Sequence, residues 1–269
     1  MVTENRVATS ETTVKGKPRP PAITRPIFIL GSHKSGTSLL RALLDDHPDL
    51  AVMPKETHFF QYAGAEVHYP LRAARRRTMD REELRDEFVS LLRHANNADW
   101  RYGDAPEVSG YNIDRFRECF MSYRLRSLPE LFSAYIAARY YSLFGRALPE
   151  DERLVEKSVE NAEYAAALRT MFPNCKFLHI VRNPYSTMVS LRRAKSTNGY
   201  PVVDNLVSSL RNSFYYLIKN RFHLEDYMAI RYEDLVEKPR ETMRKAAGFL
   251  GLDFTESLLI PTQMGTRWA

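Results

Sequence analysis

Cysteine is scarce in this chain, with only Cys119 and Cys175 among 269 residues. Two cysteines form neither a disulfide framework nor a cluster of metal ligands, which argues against a disulfide-stapled secreted fold. No apolar run approaches the ~20 residues that a transmembrane helix needs, and residues 1–25 are polar, without the hydrophobic segment of a signal peptide. These absences predict a cytoplasmic protein without a transmembrane segment.

Apolar residues make up 44% of the chain, and their short runs alternate with helical patterns. This alternation predicts an α/β fold with a central, mostly parallel sheet of about five strands flanked by helices. Residues 1–24 are predicted to be a disordered arm, and residues 25–269 a single domain. The predicted strands are Ile27–Leu30, Leu50–Met53, Leu154–Glu156, Lys176–Val181 and Tyr227–Arg231. The predicted helices are Leu39–Leu44, Asp80–His94, Leu128–Phe144, Asn161–Met171, one from Pro184, Val203–Asn220 and Pro239–Leu250.

The most informative segment is residues 27–38, where a buried strand is followed by glycines, hydroxyl residues and one lysine. Such a turn at a helix N-terminus presents free backbone N–H groups to a phosphate. The pattern is similar to a P-loop and predicts a P-loop-like three-layer fold. The Walker lysine position is occupied by Thr37, however, and Lys34 stands three residues earlier. Lys34 is therefore expected over the group that is joined to the bound phosphate.

A second anion site is predicted where the strand Lys176–Val181 ends at Arg182. Ser190 follows eight residues later on the helix that starts near Pro184. This pair can hold a second phosphate away from the first. A nucleotide kinase commonly has an aspartate near a strand end for Mg²⁺, whereas Arg182 would bind an anion directly.

A third set of polar residues, Glu56 and His58, follows the second predicted strand. Ligands of parallel sheets bind at the carboxyl ends of the strands. Both side chains are therefore expected at the level of the phosphate loop, which is the turn at residues 31–38. A carboxylate or an imidazole at this place can take a proton from an attacking hydroxyl.

Together, these segments resemble the sulfotransferase family that uses 3′-phosphoadenosine 5′-phosphosulfate (PAPS), in its carbohydrate and bacterial branch. The resemblance runs from about Arg25 to the end of the chain, so residues 25–269 are expected to be a sulfotransferase domain. It includes Glu-Lys-Ser at 156–158 and Arg-Tyr-Glu-Asp-Leu at 231–235. Gly265-Thr266-Arg267-Trp268 is similar to the basic loop that closes over the 3′-phosphate in the family.

The resemblance implies a role for each matching residue. Glu56 is the expected general base, with His58 as assistant or alternative base, and Lys34 and Lys157 stabilise the transferring group. The residues implied to bind PAPS are Lys34, Ser35, Gly36, Thr37, Ser38, Arg182, Ser190, Gly265 and Arg267. No metal is implied, because the lysines and the helix N-terminus replace it.

The acceptor is expected to be a hydroxyl, less readily an amine, of a small molecule, carbohydrate or natural product. Two other functions stay open: a P-loop kinase using ATP and Mg²⁺, and a non-catalytic nucleotide-binding protein. Nucleic acid is not an expected partner, because the arginine run at residues 72–77 lacks the interleaved aromatic residues of a stacking platform.

Overall fold

The structure is a computed structural model that describes residues 16–62, 88–89, 111–196 and 203–268. Most of the predicted helix Asp80–His94 and the whole arginine run at 72–77 lie outside the described residues. Part of the predicted N-terminal arm is described. The carbonyl of Pro18 accepts a hydrogen bond from the amide of Arg124 at 2.8 Å, so the chain contacts the domain before Arg25.

A five-stranded parallel sheet forms the centre of the molecule, which confirms the predicted α/β class. The strands are β1 (Ile27–Gly31), β2 (Leu50–Val52), β3 (Arg153–Lys157), β4 (Lys176–Val181) and β5 (Tyr227–Arg231). Their order across the sheet is β2-β3-β1-β4-β5. All four pairs are parallel, and β1 in the middle is buried along its whole length. A strand covered on both faces needs apolar side chains in both directions, as the run Ile-Phe-Ile-Leu provides.

Nine α-helices are described in these parts of the chain. They are α1 (Thr37–Leu44), α2 (Phe59–Tyr62), α3 (Ile113–Ser122), α4 (Leu128–Phe144), α5 (Asn161–Met171), α6 (Pro184–Ser196), α7 (Val203–His223), α8 (Tyr232–Glu237) and α9 (Pro239–Leu250). A short 3₁₀ helix (Glu256–Leu259) and a two-stranded hairpin, β6 (Thr262–Gln263) with β7 (Thr266–Arg267), follow α9. No helix of the described residues is long and apolar enough to cross a membrane.

Two hydrophobic cores lie on opposite faces of the sheet, because successive residues of a strand point to opposite sides. Phe28 and Phe177 belong to a core rich in aromatic residues, which includes buried residues of α3, α4 and α5. Ile29 and Leu178 belong to the second core, with buried residues of α1 and α9. This packing completes the predicted arrangement of three layers.

The sheet also brings the segments that follow β1, β3 and β4 to one edge. β1 lies between β3 and β4, with Ile29 beside Lys157 and Gly31 beside Ile180. The carboxyl ends of these three parallel strands therefore meet, and each is followed by a segment that carries polar side chains.

Candidate active site

The loop between β1 and α1 has the backbone of an anion-binding turn. Lys34 has φ +63° and Gly36 has φ +103°, so both lie in the left-handed region. A Cβ atom on Gly36 would lie 2.3 Å from a ring carbon of Tyr232, and only glycine fits there. No side chain caps the N-terminus of α1, which leaves its first backbone N–H groups for an anion.

The side chains of this loop differ in their surroundings. The hydroxyl of Ser35 is buried and donates to the carbonyl of Ser32 at 2.7 Å. Thr37 is also buried, whereas Lys34 and Ser38 are half-buried. Ser35 therefore shapes the turn, while Lys34 and Ser38 remain partly accessible to a ligand.

Arg182 lies directly beside the phosphate loop. Its Nη1 donates to the carbonyl of Lys34 at 3.3 Å, and its guanidinium lies 4.4 Å from the ring centroid of Tyr232. The structure therefore connects the first and second predicted anion sites. Ser190 is half-buried on α6, the helix that begins two residues after Arg182.

An open groove adjoins Arg182 at the carboxyl ends of β4 and β5. Its lining includes Phe214 of α7, Arg231 at the end of β5, and Glu233. From the sequence, Arg231 was identified only as part of the segment 231–235 that resembles the family. The structure places it as a second cation on the wall of this groove.

Glu56 and Lys157 form an ion pair at the same edge of the sheet. The ammonium of Lys157 donates to Oε1 of Glu56, and both side chains are largely buried. Oε2 of Glu56 lies 3.4 Å from Nε2 of His58. Three of the residues predicted to be catalytic therefore lie together, on segments about a hundred positions apart in sequence.

The charges around Glu56 control its protonation. Burial alone would raise the pKa of this carboxyl, but Lys157, His58 and His33 together hold the pKa at about 2. Glu56 is thus ionised at neutral pH. His33, a loop residue that was not predicted to belong to the site, is one of the groups that lower this pKa.

His58 contacts a second carboxylate, that of Glu160. Its Nδ1 lies 2.8 Å from Oε1 of Glu160. Burial lowers the pKa of His58, but the hydrogen bond to Glu160 and the charges of Glu160 and Glu56 outweigh burial and raise it. Glu160 was not predicted. Its sequence signal is weak, because Val159 separates it from the polar residues Lys157 and Ser158 at the end of β3.

Glu56, His58 and Glu160 bring potential ligand atoms within 4.8 Å of one another, a spacing that also occurs in cation sites. Here, however, the two nitrogens of the ring face different carboxylates. One imidazole binds one cation through a single nitrogen, so this arrangement fits proton transfer better than a shared metal ion.

Thr57 holds the candidate catalytic segment Glu56–His58 through all its polar groups. Its hydroxyl donates to Oε1 of Glu156 at 2.7 Å, and its amide donates to the hydroxyl of Ser158 at 3.0 Å. Its carbonyl accepts from Tyr135 and Arg139 of α4, at 2.7 and 2.9 Å. Because Glu56 and His58 flank Thr57, these contacts fix both.

Gly265 and Arg267 lie on the β6–β7 hairpin, which contacts the C-terminal end of α1. The amide of Gly265 donates to Asp45, the residue that follows α1, at 3.0 Å, and Arg41 of α1 donates to Gln263 at 3.2 Å. The phosphate loop precedes the other end of this eight-residue helix, about 12 Å away at 1.5 Å per residue. Gly265 thus contacts the end of α1 that is opposite to the loop, and Arg267 is exposed on the same hairpin.

Comparison with known proteins agrees with this arrangement. A family model described as "Sulfotransferase family" matches residues 26–256. A protein of Caenorhabditis briggsae, described as a candidate protein-tyrosine sulfotransferase, is 24% identical over 87% of this chain and 68% of its own length. An uncharacterized protein of Aquifex aeolicus is 23% identical over 91% of this chain, which spans only 28% of that protein.

Solved structures share the fold. The sulfotransferase domain of the olefin synthase of Synechococcus PCC 7002 has a TM-score of 0.56 and 22% identity, over 93% of this chain and 83% of that domain. The sulfotransferase domain from the curacin biosynthetic pathway has a TM-score of 0.55 and 24% identity, over 89% and 78%. Since the family model covers most of the chain, including the phosphate loop, Glu56, Lys157 and Arg182, the protein belongs to the sulfotransferase family.

Proposed function

We propose that this protein transfers a sulfuryl group from PAPS to a hydroxyl, or less readily an amine, of its acceptor. One observation carries the proposal: the Glu56 carboxylate and the Lys157 ammonium are in contact at the edge of the sheet where β1 leads into the phosphate loop. This contact supports the proposal, because a carboxylate that can act as a base and a cation that can bind sulfuryl oxygens lie near the loop proposed to hold the phosphate of the donor.

The proposed donor site uses the loop Lys34–Ser38 for the 5′-phosphosulfate and Arg182 with Ser190 for the 3′-phosphate. The contacts of Arg182 with the Lys34 carbonyl and the Tyr232 ring support this assignment, since they hold a guanidinium next to the loop. A guanidinium is well suited to a phosphate because its N–H groups match the phosphate oxygens in pairs. Arg231 adds positive charge to the adjoining groove.

In the proposed reaction, the acceptor oxygen forms a bond to sulfur while the bond from sulfur to the bridging phosphate oxygen breaks. The electron pair of the broken bond stays on that bridging oxygen, where Lys34 neutralises the developing charge. The proton of the acceptor passes to Glu56. Catalysis then depends mainly on positioning and on charge stabilisation within a partly buried site.

Lys157 also links donor binding to the strength of the base. While its ammonium contacts Glu56, it contributes to holding the pKa of the carboxyl at about 2. The sulfuryl oxygens of the donor would compete with Glu56 for this ammonium. Glu56 would then attract the acceptor proton more strongly when a donor is in place.

The acceptor pocket is not built from the first aromatic residues after the catalytic segment. Phe59 and Phe60 are buried in the aromatic core, so neither offers a stacking surface to a sugar. The name of the Caenorhabditis relative adds the phenol of a protein tyrosine to the acceptors worth testing, beside carbohydrates and hydroxylated natural products.

The test uses PAPS labelled with ³⁵S and a panel of hydroxylated acceptors that includes sugars, phenols and a tyrosine peptide. With an acceptor that is labelled, Glu56→Gln should lower turnover by at least about 10²-fold, because a general base contributes 10²- to 10⁴-fold. Glu163→Gln is the matched control, since Glu163 lies on α5 and contacts Tyr216; its turnover should equal that of the unmodified protein.

Adenosine 3′,5′-bisphosphate (PAP) should bind the Glu56→Gln protein as it binds the unmodified protein, which separates a chemical role from a binding role. Turnover of Glu56→Gln at the rate of the control would contradict the role of Glu56 as base. Transfer of phosphate from ATP and Mg²⁺, with no transfer of ³⁵S to any acceptor, would favour the kinase alternative.

A further inference from the structure

Glu160 is a buried carboxylate at the N-terminus of a helix, a position where acidic side chains often cap backbone N–H groups. It stands directly before α5, yet its side chain caps no backbone N–H group of that helix. It is only 7% exposed, and its carboxylate contacts His58, which lies 102 positions earlier in the chain. The positive end of the α5 dipole favours a negative charge at this place.

The contact fixes which nitrogen of His58 carries a proton. A carboxylate oxygen without a proton can only accept hydrogen bonds, so we assign Nδ1 as the donor to Glu160 across the 2.8 Å separation. The other nitrogen, Nε2, then faces Oε2 of Glu56 at 3.4 Å. The ring of His58 thus bridges two carboxylates that come from different segments.

The backbone holds the ring in this orientation as well. His58 has φ +50°, an uncommon conformation for a residue other than glycine, and its amide donates to the hydroxyl of Ser158 at 3.1 Å. Strained backbone of this kind is often found at functional sites, where the surrounding contacts maintain it.

The charged groups that act on His58 come from several elements. Glu56 and Glu160 attract the imidazolium form, and Arg139 of α4 opposes it. Lys157 and His33 act on the same site through Glu56, whose carboxylate they stabilise. Among these groups, Glu160 alone accepts the hydrogen bond from Nδ1.

We propose that Glu160 is a positioning residue that orients His58 to receive the acceptor proton from Glu56. The proposal rests on the proposed function, because it concerns the fate of the proton that Glu56 removes. The acceptor O–H bond breaks as its oxygen bonds to sulfur, and Glu56 takes the proton. Glu56 then passes the proton to Nε2 of a neutral His58, and Glu160 stabilises the resulting imidazolium through Nδ1–H.

The relay requires His58 to be neutral before transfer, so turnover should rise as the pH rises through the raised pKa of His58. Glu160→Gln keeps a hydrogen-bond acceptor but removes the charge, which lowers that pKa. Its rise in turnover should therefore occur at lower pH, and its plateau should be at least about 10-fold lower, as part of the contribution of acid–base catalysis is lost.

A first experiment examines His58 without donor or acceptor, by ¹H–¹⁵N NMR of the ¹⁵N-histidine-labelled full chain over a range of pH. The chain has seven histidines, and His58→Asn identifies the signal of His58. In Glu160→Gln, His58 should titrate at lower pH than in the unmodified protein. In Glu160→Ala, the preference for a proton on Nδ1 should disappear as well. Glu163→Gln should change neither the titration of His58 nor its preference for a proton on Nδ1.

Unchanged titration and tautomer of His58 in both Glu160 variants would overturn the positioning role. Altered titration with an unmoved pH profile of turnover would overturn the relay. These failures differ from failure of the proposed function, which would appear as full turnover of Glu56→Gln or as absent ³⁵S transfer. Since the side chain of Glu160 caps nothing in α5, the variants should fold, and their unfolding temperatures provide the check.

Discussion

The hydroxyl of Thr57 donates to the fully buried carboxylate of Glu156 at 2.7 Å and so connects the candidate catalytic segment to β3. Ser158 and Asn161 donate to the same carboxylate. Burial raises the pKa of Glu156, although the hydrogen bonds from Ser158 and Thr57 oppose that shift. Removal of one of these donors should therefore lower the free energy of unfolding, because the buried carboxylate would lose a hydrogen bond that water cannot replace.

Thr57→Val should lower the free energy of unfolding by about 1–3 kcal/mol, because it removes a buried hydrogen bond to a carboxylate while keeping the shape of the side chain. Urea unfolding measures the change. Thr170→Val is the control, since Thr170 is exposed and its hydroxyl donates to Ala166 within α5, and its effect should stay within about 0.5 kcal/mol. Equal effects for both variants would mean that the Thr57–Glu156 contact contributes little.

Gly36→Ala should lower both stability and PAP affinity. Its Cβ would lie 2.3 Å from the Tyr232 ring, and that ring also lies against Arg182. We expect about 1–3 kcal/mol of lost stability from the strained backbone and at least roughly 10-fold weaker PAP binding, or about 1.4 kcal/mol. Calorimetric titration and urea unfolding measure these quantities.

Gly248→Ala is the matched control for this substitution. Gly248 lies on α9 with open space around it, so alanine should stabilise the helix by about 0.5–1 kcal/mol and leave PAP binding unchanged. Unimpaired PAP binding by Gly36→Ala would contradict the proposed place of Gly36 in the donor site.

His179 should make the protein sensitive to acid. It is buried on β4 beside Tyr227, and burial lowers its pKa to about 3, below the value of about 6.5 expected in the unfolded chain. The unfolded state then binds the extra proton. This contribution to stability is complete above pH 6.5 and is lost as the pH falls towards 3, by at most about 1.4 kcal/mol per pH unit.

His179→Asn should reduce that acid slope while keeping a hydrogen-bonding partner for the hydroxyl of Tyr227. His223→Asn is the control, because His223 is exposed at the end of α7 and should leave the slope unchanged. Urea unfolding at a series of pH values gives the slopes, and the same slope for both variants would contradict the role of His179.

Arg182→Ala should weaken binding of PAP much more than binding of AMP, which lacks the 3′-phosphate. Loss of a charge-assisted hydrogen bond costs about 1.5–3 kcal/mol, or roughly 10- to 100-fold in affinity. Arg146→Ala serves as control, since Arg146 lies near Glu152 at the opposite edge of the sheet. Equal losses for PAP and AMP would argue against a 3′-phosphate site at Arg182.

The sequence allowed accurate prediction where one local pattern determines the structure. The strand Lys176–Val181 is a short apolar run ending at a charge, and its bounds in the structure are the predicted ones. The helix Leu128–Phe144 also has the predicted bounds, with Ser127 as an N-cap and Gly145 after its last residue. Such signals lie within a few residues of one another, so the local sequence is sufficient to predict where the element begins and ends.

Contacts between distant segments could not be predicted in this way. Glu160 meets His58 across 102 positions, and Arg139 reaches the carbonyl of Thr57 across 82, with no local pattern to pair them. α8 was missed because Arg231 and Tyr232 continue a strand pattern, whereas the helix starts at Tyr232, directly after β5. Gly265 was assigned by resemblance alone, and the structure places it beside Asp45.

The most direct test of the proposed donor is calorimetric titration of the unmodified protein with PAP in the absence of metal, compared with ATP and Mg²⁺. The Lys34–Ser38 loop and Arg182 predict that PAP binds with a 1:1 stoichiometry and more tightly than ATP with Mg²⁺. Tight binding of ATP with Mg²⁺, together with no heat from PAP, would contradict the account.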